Sequence, residues 1–182
     1  MKWLLRHKPR RFKIVSLDES IFSLNMEVEQ VWAVEGLRPV RVTATTRDRT
    51  VLYGALTIDG KQHFRQYGEW TGETFLAYLK TVHRRFRKLY LFMDQARQHA
   101  KTKKVQSYLK ANRKTIRVRW FPTGCPEFDA VEECWREGEK DLSTKPQFPL
   151  SLQELKATLT EYYRTRRFHL DMRKFLLTTR CA

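Results

Sequence analysis

Two short apolar runs, each followed directly by an aspartate, constrain the fold of this chain more than any other feature. The first run, FKIVSL, occupies residues 12–17 and precedes Asp18; the second, KLYLFM, occupies residues 88–93 and precedes Asp94. Their length and their β-branched and aromatic content predict two buried strands. If these strands are parallel neighbours, both aspartates emerge at the same edge of one sheet, where open α/β sheets commonly place their sites.

Further strands are predicted between the two aspartates. Residues 40–46 and 50–58 are rich in β-branched residues, and residues 61–68, which follow the turn signal Asp59-Gly60, add one more candidate strand. The links between these strands are short, so we expect them to pair as antiparallel neighbours.

Helices are predicted where apolar residues recur at helical spacing. They cover residues 71–88, residues 99–112, a stretch from about Phe128, and a long helix that Ser151 opens as N-cap. A last strand is predicted over residues 115–122. Strand–helix–strand units require parallel crossovers, so the sequence predicts an α/β protein with a mixed sheet and helices on both faces.

The charge balance indicates the kind of partner. The 182 residues include 36 Lys and Arg against 20 Asp and Glu, which gives a net charge of +16. Such a field favours a polyanion, either a nucleic acid or an anionic membrane surface. No apolar run approaches the ~20 residues that span a bilayer, and the first residues lack the features of a secretory signal. We therefore expect a cytoplasmic protein that binds nucleic acid.

The candidate DNA-binding side chains are basic residues on two predicted helices and one strand. A run of charge is more often a solvated face than a contact surface, and only the sum of many such residues indicates phosphate binding. The candidates are Arg84, Arg85, Arg87, Lys101, Lys103, Lys104, Arg117 and Arg119.

Three carboxylates form the candidate active site: Asp18, Asp94 and Glu132, which lies on the helix after the last strand. Mg²⁺ prefers oxygen ligands, and two such ions about 3.5–4 Å apart activate an attacking hydroxyl and stabilise the leaving oxygen of a phosphodiester. A single aspartate at a strand end is usually a turn former or a cap, and a single glutamate on a helix is usually solvated. Spacing alone leaves both interpretations open.

The sequences around these acids resemble a known family. VSLDESIF, LFMDQARQHA and FPTGCPEFDAVEECW, in this order, resemble the three signature blocks of the IS630/Tc1/mariner superfamily of DDE transposases. The resemblance covers about residues 12–142, and by position it makes Asp18, Asp94 and Glu132 the catalytic, metal-binding acids. It implies an RNase H-like fold: a five-stranded mixed sheet with the first three strands antiparallel and helices on both faces.

Some positions depart from the family's pattern. Gln95 stands where the family usually has Asn, and Asp129 and Ala130 stand where it usually has Asn-Pro. Asp129 adds an acid near the site, so it or Glu133 is an alternative to Glu132 as third ligand. On a helix, Asp129 and Glu132 share a face, whereas Glu133 turns roughly 100° further round.

Four residues are therefore auxiliary candidates. Gln95, Asp129 and Glu133 flank the proposed ligands, and His99 follows the second aspartate, where it either orients substrate and assists proton transfer or caps the next helix. The departures also leave open a decayed copy that no longer cuts DNA.

The resemblance implies a function and an assembly. It predicts a DNA transposase catalytic domain that uses Mg²⁺ or Mn²⁺, as two ions, to hydrolyse phosphodiesters at transposon ends and to join them to target DNA. The alternatives are an RNase H-like nuclease without strand transfer and an inactive DNA-binding remnant. A homodimer and a separate or missing helix-turn-helix region are also implied, in a prokaryotic cell, where the protein would be associated with the nucleoid.

The same resemblance suggests a division of the chain. Residues 1–11 would form a basic N-terminal segment and residues 12–142 the catalytic domain. Residues 143–182 would then form a linker and a basic C-terminal helix that packs on this domain or extends from it.

Overall fold

A five-stranded mixed sheet forms the centre of the computed structural model, which describes residues 6–25, 34–36, 40, 42, 44–96, 101–145 and 147–177. The strands are β1 (Lys13–Ser23), β2 (Arg49–Thr57), β3 (Gln62–Tyr67), β4 (Leu89–Met93) and β5 (Ile116–Trp120). Their order across the sheet is β3-β2-β1-β4-β5. β1, β2 and β3 pair antiparallel, whereas β4 pairs parallel with both β1 and β5. The predicted mixed sheet with three antiparallel strands first is confirmed.

Five helices that lie wholly within the described residues cover the two faces of this sheet. They are α1 (Gly72–Phe86), α2 (Lys103–Ala111), α3 (Ala130–Ser143), α4 (Leu152–Thr165) and α5 (Met172–Leu176), and a short 3-10 turn (Pro126–Phe128) precedes α3. The predicted helices are confirmed, although the start of the one predicted over 99–112 lies partly outside the described residues.

Side-chain caps fix where the main helices begin. Ser151 Oγ accepts a hydrogen bond from the Glu154 amide at 3.2 Å, which confirms the predicted N-cap of α4. Thr71 and Thr74 cap α1 reciprocally, as a capping box. Each such cap satisfies an amide that the helix leaves without a partner, and a cap contributes about 1 kcal/mol.

Alternation along the strands builds two separate cores. On β1, Ile14 and Phe22 belong to the core beneath α3 and α4, whereas Val15 and Leu17 belong to the core beneath α1 and α2. Successive side chains of a strand point to opposite faces, so one apolar strand supplies both layers. The result is a three-layer α/β/α arrangement.

The strand predicted over residues 40–46 is wrong for the residues of that segment that the structure describes. Val42 and residues 44–46 lie outside any strand, and Val40 and Val42 are 91% and 69% exposed. The third antiparallel strand is β3 instead. Both edges of β2 are already paired, with β1 and β3, so no ladder position remains beside it.

A close contact joins α4 to α3. Tyr163 on α4 donates a hydrogen bond to the Cys134 carbonyl at 3.1 Å, and a Cβ at Gly138 would lie 2.0 Å from the same hydroxyl. Glycine inside a helix costs about 1 kcal/mol relative to alanine. Here it leaves the space through which the tyrosine reaches the α3 backbone, and this attaches α4 to the core of the sheet.

Candidate active site

The two predicted aspartates belong to neighbouring strands at the centre of the sheet: Asp18 lies within β1, and Asp94 follows the last residue of β4. β1 continues past Asp18 to Ser23, so the prediction that Asp18 ends its strand is wrong. The parallel pairing of β1 with β4 runs only as far as Ser16 opposite Phe92. Continuing this register by two residues places Asp94 level with Asp18. The strand continues because β2 pairs with β1 as far as Ser23, even though β4 has already ended.

A cleft of about 390 Å³ opens where β1 runs beyond β4. Its walls come from the end of β4, the loop after β5 and the start of α3. Four acids line it: Asp18, Asp94, Asp129 and Glu132. Gln95, Ala96 and the segment 121–126 complete the lining.

Asp18 accepts a hydrogen bond from a buried tryptophan. The carboxylate is 7% exposed, and Trp135 Nε1 donates a hydrogen bond to Asp18 Oδ2 at 2.8 Å. No described residue donates to the other oxygen, Oδ1. Gly54 pairs with Asp18 in the sheet, and a Cβ there would lie 2.7 Å from the Trp135 ring. The indole can reach the carboxylate because residue 54 has no side chain.

Asp129 has a structural role at the start of α3. Its Oδ1 accepts hydrogen bonds from the Val131 amide at 2.9 Å and from Ser16 Oγ at 2.7 Å. The first bond caps the helix, and the second ties its start to β1. Because Asp129 is buried and already engaged, it fixes the position of the first turn, from which Glu132 projects.

The two adjacent glutamates of α3 have different surroundings. Glu132 lines the cleft with both aspartates, whereas Glu133 is absent from that lining and forms an ion pair with Arg136. The roughly 100° that separates consecutive residues on a helix accounts for the difference. Glu133 lines a neighbouring groove between α3 and α5, which Asp129 and Glu132 also border.

The acids of the cleft raise one another's pKa values. Burial raises the pKa of Asp18 well above its usual value, and the charges of Asp129, Glu19 and Glu132 add to the effect. Burial also raises the pKa of Asp129, to about 7, although its two hydrogen bonds oppose the shift. The pKa of Glu132 is raised by partial burial and then by Glu139 and Asp94. The cleft thus concentrates negative charge in a basic protein.

These acids match the donor set of a hard divalent cation, although they do not form a closed cage. Within the described ranges, no group of three His, Cys, Asp or Glu side chains is close enough to hold a metal ion. Two facts nevertheless fit a cation: the donors are carboxylate oxygens that share one cleft, and their mutual repulsion is what a divalent charge relieves. Asp18, Asp94 and Glu132 are the residues that would hold it.

The turn after β4 carries two of the remaining candidates. Asp94 Oδ1 accepts a hydrogen bond from the Ala96 amide at 3.1 Å, and Gln95 Nε2 donates to the Phe121 carbonyl at 3.2 Å. Gln95 therefore links the turn that carries Asp94 to the loop after β5. His99 lies outside the described residues.

The predicted DNA-binding residues lie at different distances from the level of Asp94. Arg84, Arg85 and Arg87 end α1, just before the first residue of β4, whereas Asp94 follows its last. The five residues of β4 put about 16 Å between the two levels. Lys101, Lys103 and Lys104, at the start of α2, follow the turn that carries Asp94.

At least three of these basic residues have hydrogen-bond or ion-pair partners within the protein, and one of them is Arg119, which donates a hydrogen bond to the Val118 carbonyl at 3.2 Å. Lys104 forms an exposed ion pair with Glu73. Arg117 donates a hydrogen bond to the Tyr90 hydroxyl at 2.7 Å, and its guanidinium lies 4.8 Å from the centre of the Phe12 ring. Arg119 follows Arg117 on β5 and is exposed.

Comparison with protein families identifies the class of enzyme. A family model described as DDE superfamily endonuclease matches residues 13–156. The chain belongs to this family. The predicted DDE-type catalytic domain is confirmed, and enzymes of this superfamily use divalent metal ions. No curated protein has a sequence that matches this one.

Solved structures share its fold at low sequence identity. A Mos1 mariner paired-end complex with Mn has a TM-score of 0.63 and 16% identity, over 96% of this chain and 54% of that one. The Mos1 strand transfer complex has a TM-score of 0.58 and 17% identity, over 90% and 49%. The catalytic domain of Mos1 mariner transposase has a TM-score of 0.59 and 14% identity, over 96% and 78%.

These matches confirm the predicted RNase H-like fold. The chain spans about half the length of the transposases in the two complexes. None of the helices in the described residues is long and apolar enough to cross a membrane.

The sequence did not reveal the residues that support the acids. Gly54, Ser16 and Trp135 position Asp18 and Asp129 through contacts between elements far apart in the chain. The only signal was the tryptophan three residues after Glu132, which ends the third quoted block.

Proposed function

We propose that this chain is the catalytic part of a DNA transposase, with Asp18, Asp94 and Glu132 as its metal-binding acids. One observation carries the proposal: in a DDE superfamily endonuclease, the β1–β4 register brings Asp18 and Asp94 level, and Glu132 lines the same cleft. The alternatives for the third acid have less support. Asp129 is engaged as a helix cap, and Glu133 pairs with Arg136 outside the cleft.

The proposed reaction is hydrolysis followed by strand transfer. Water attacks a phosphodiester at a transposon end and frees a 3′-hydroxyl, and this hydroxyl then attacks target DNA in line. Two bound Mg²⁺ or Mn²⁺ ions would supply the charge that activates the attacking oxygen and stabilises the leaving one. The contribution of this chain is positional: Trp135 orients Asp18, Gln95 anchors the turn that carries Asp94, and Asp129 fixes the first turn of α3.

Similar folds support the proposal by analogy. The related Mos1 structures are described as a paired-end complex with Mn and as a strand transfer complex. Carried over to this chain, they suggest transposon ends and target DNA as substrates. We propose in addition that a dimer pairs two ends and that the catalytic part works with a helix-turn-helix DNA-binding region. An enzyme of this kind would work at the nucleoid of a prokaryotic cell, in the cytoplasm.

Nicking of supercoiled plasmid tests the proposal. The wild type should nick DNA in Mn²⁺ or Mg²⁺ and stop in EDTA, and Asp94→Asn should remove nicking while leaving DNA binding nearly intact. Equal nicking in EDTA, or by Asp94→Asn, would overturn the assignment. Nicked products without joined ends, when cut transposon ends are supplied, would instead identify a nuclease without strand transfer.

A further inference from the structure

A second groove lies along the β3 edge of the sheet and shares no residue with the acidic cleft. It has a volume of about 550 Å³. Five consecutive residues of β3, from Gln62 to Gln66, form its floor, and α1 and α4 supply its walls. By register, Phe64 lies opposite Gly54, which lies opposite Asp18. The groove is therefore two strand spacings from Asp18, about 10 Å across the sheet.

The alternation of β3 explains why helices flank the groove on both sides. His63 contacts α1, with Nε2 3.2 Å from Thr81 Oγ1. Gln66 contacts α4, where Thr160 Oγ1 donates to Gln66 Oε1 at 3.1 Å. Within the described residues β3 pairs only with β2. Its Gln62 end hydrogen-bonds to the segment after α4, to the Arg166 carbonyl and from the Phe168 amide, and the rest of its outer edge has no strand partner there.

The groove is lined by positive charge alone. Arg65, Arg85, Arg164 and Arg167 line it, and no acidic residue is among its lining. In the described part of the chain, Arg164 is the one of the four with an ion pair, to Glu161 on the same helix, and both partners are largely exposed. Exposed pairs of this kind contribute little and exchange easily with another anion.

Two further observations fit an anion in this groove. Burial, together with the charges of Arg85 and Arg65, lowers the pKa of His63 to about 4, so the positive field extends to the floor. Gln66 Nε2 is buried and donates to no described residue, which leaves an unused donor beside the arginines.

We propose that this groove binds the phosphate backbone of duplex DNA outside the catalytic cleft. The inference rests on the proposed function, which makes DNA the substrate. A duplex fits better than a small anion because the charge is spread along an open strand edge. The five β3 residues extend over about 13 Å, a length of the B-DNA axis that holds about four phosphates of each strand.

The test measures DNA binding without cleavage. A labelled duplex is titrated in EDTA at 50 to 200 mM salt with two variants of equal charge. The groove variant carries Arg65→Gln, Arg85→Gln and Arg167→Gln; the control carries Arg113→Gln, Lys114→Gln and Lys140→Gln, all exposed residues outside the groove. The groove variant should bind about tenfold or more weakly than the control near 0.1 M salt, and its log–log salt slope should be smaller by about 2 to 3.

Three results would overturn the proposal. The first is an equal loss of affinity in the two triple variants, because net charge alone would then explain binding. The second is no change of slope in the single variant Arg167→Gln, which removes one exposed side chain and should lower the slope by about 1. The third is displacement of the duplex from the wild type, but not from the groove variant, by millimolar inorganic phosphate. The groove would then hold a small anion.

Failure of the groove and failure of the proposed function give different results. Groove-dependent binding without metal-dependent nicking would contradict the proposed cleavage and leave the groove intact. Metal-dependent nicking with equal DNA binding by both triple variants would contradict the groove and leave the proposed cleavage intact.

Discussion

Trp135 Nε1 donates a hydrogen bond to Asp18 Oδ2 at 2.8 Å, across 117 positions of sequence. Both side chains are buried, and this bond lowers the pKa of a carboxylate that burial and neighbouring acids raise. The indole therefore favours the charged form of Asp18, which is the form that binds a cation. A core tryptophan that is absent from the lining of the cleft thus supports one of its acids.

Trp135→Phe should weaken metal use more than it weakens folding. It keeps an aromatic ring against Phe64 and Tyr163 and removes the donor to Asp18. We expect a destabilisation of about 1–3 kcal/mol and a half-saturating Mn²⁺ concentration for nicking raised roughly tenfold. A metal titration of plasmid nicking, beside urea denaturation, checks both. Trp120→Phe, at a residue 41% exposed, is the control and should match the wild type. An unchanged metal requirement in Trp135→Phe would contradict the positioning role.

Gly54→Ala should overfill the space beneath Asp18. The new Cβ would lie 2.7 Å from both the Trp135 and Phe64 rings and 2.8 Å from Val131. Overpacking of this kind costs about 1–3 kcal/mol, and displacement of the indole should also reduce nicking. Thermal unfolding and nicking rates measure the two effects. Gly68→Ala is the matched control, because a Cβ there meets nothing within 4 Å. Equal stability of the two variants would show that the site relaxes freely.

The stability of Asp129→Asn relative to the wild type should increase as the pH rises. Burial raises the pKa of Asp129 to about 7, so the folded protein retains a proton that the unfolded chain loses near pH 4. Stability is therefore lost as the pH rises from about 4 to 7, and asparagine, which keeps the acceptor for Val131 and Ser16, avoids this loss. Urea denaturation in EDTA at pH 5 and pH 8 measures the difference.

Asp129→Ala separates the cap from the charge. It should be about 1 kcal/mol less stable than Asp129→Asn at pH 5, since alanine offers no acceptor to the start of α3. If the difference in the free energy of unfolding between wild type and Asp129→Asn stays constant from pH 5 to pH 8, the raised pKa of the buried Asp129 carboxyl is contradicted.

His63 should give a pH dependence of the opposite sign. Burial and the nearby Arg85 and Arg65 lower its pKa to about 4. As the pH falls, the unfolded chain therefore binds a proton at this residue near pH 6.5, whereas the folded chain binds it only near pH 4. Stability should therefore fall as the pH drops from about 6.5 to 4. Over this range the free energy of unfolding of His63→Gln should fall by about 1–2 kcal/mol less than that of the wild type. This value is reduced because His63 is partly exposed. The exposed His169→Gln is the control, and parallel denaturation curves for His63→Gln and wild type would refute the assignment.

The sheet and its two aspartates were predictable because their signals are local. The runs before Asp18 and Asp94 are short and apolar, and a helical pattern precedes the second, so connection rules favour parallel strands. The sequence left open whether these strands are neighbours, and the pairing of β1 with β4 shows that they are. The pattern over residues 40–46 misled because β-branched residues show which segments suit a strand without showing whether an edge is free. The end of β1 was missed for the same reason, since its length depends on pairing with β2.

The supporting residues of the site were beyond the sequence signal. Ser16 meets Asp129 across 113 positions, and Gly54 matters only because Trp135 packs against it. The choice among Asp129, Glu132 and Glu133 as third ligand was open for a similar reason. Helical spacing separated their faces, but only the fold shows which face meets the cleft and which acid already has a partner.

The most direct measurement compares Glu132→Gln with Glu133→Gln in nicking of supercoiled plasmid with Mn²⁺. The two substitutions are isosteric, adjacent on one helix turn and equal in charge. We predict that Glu132→Gln lowers the nicking rate about 100-fold or more, while Glu133→Gln stays within about threefold of wild type. Loss of nicking in Glu133→Gln together with activity in Glu132→Gln would contradict the proposed site.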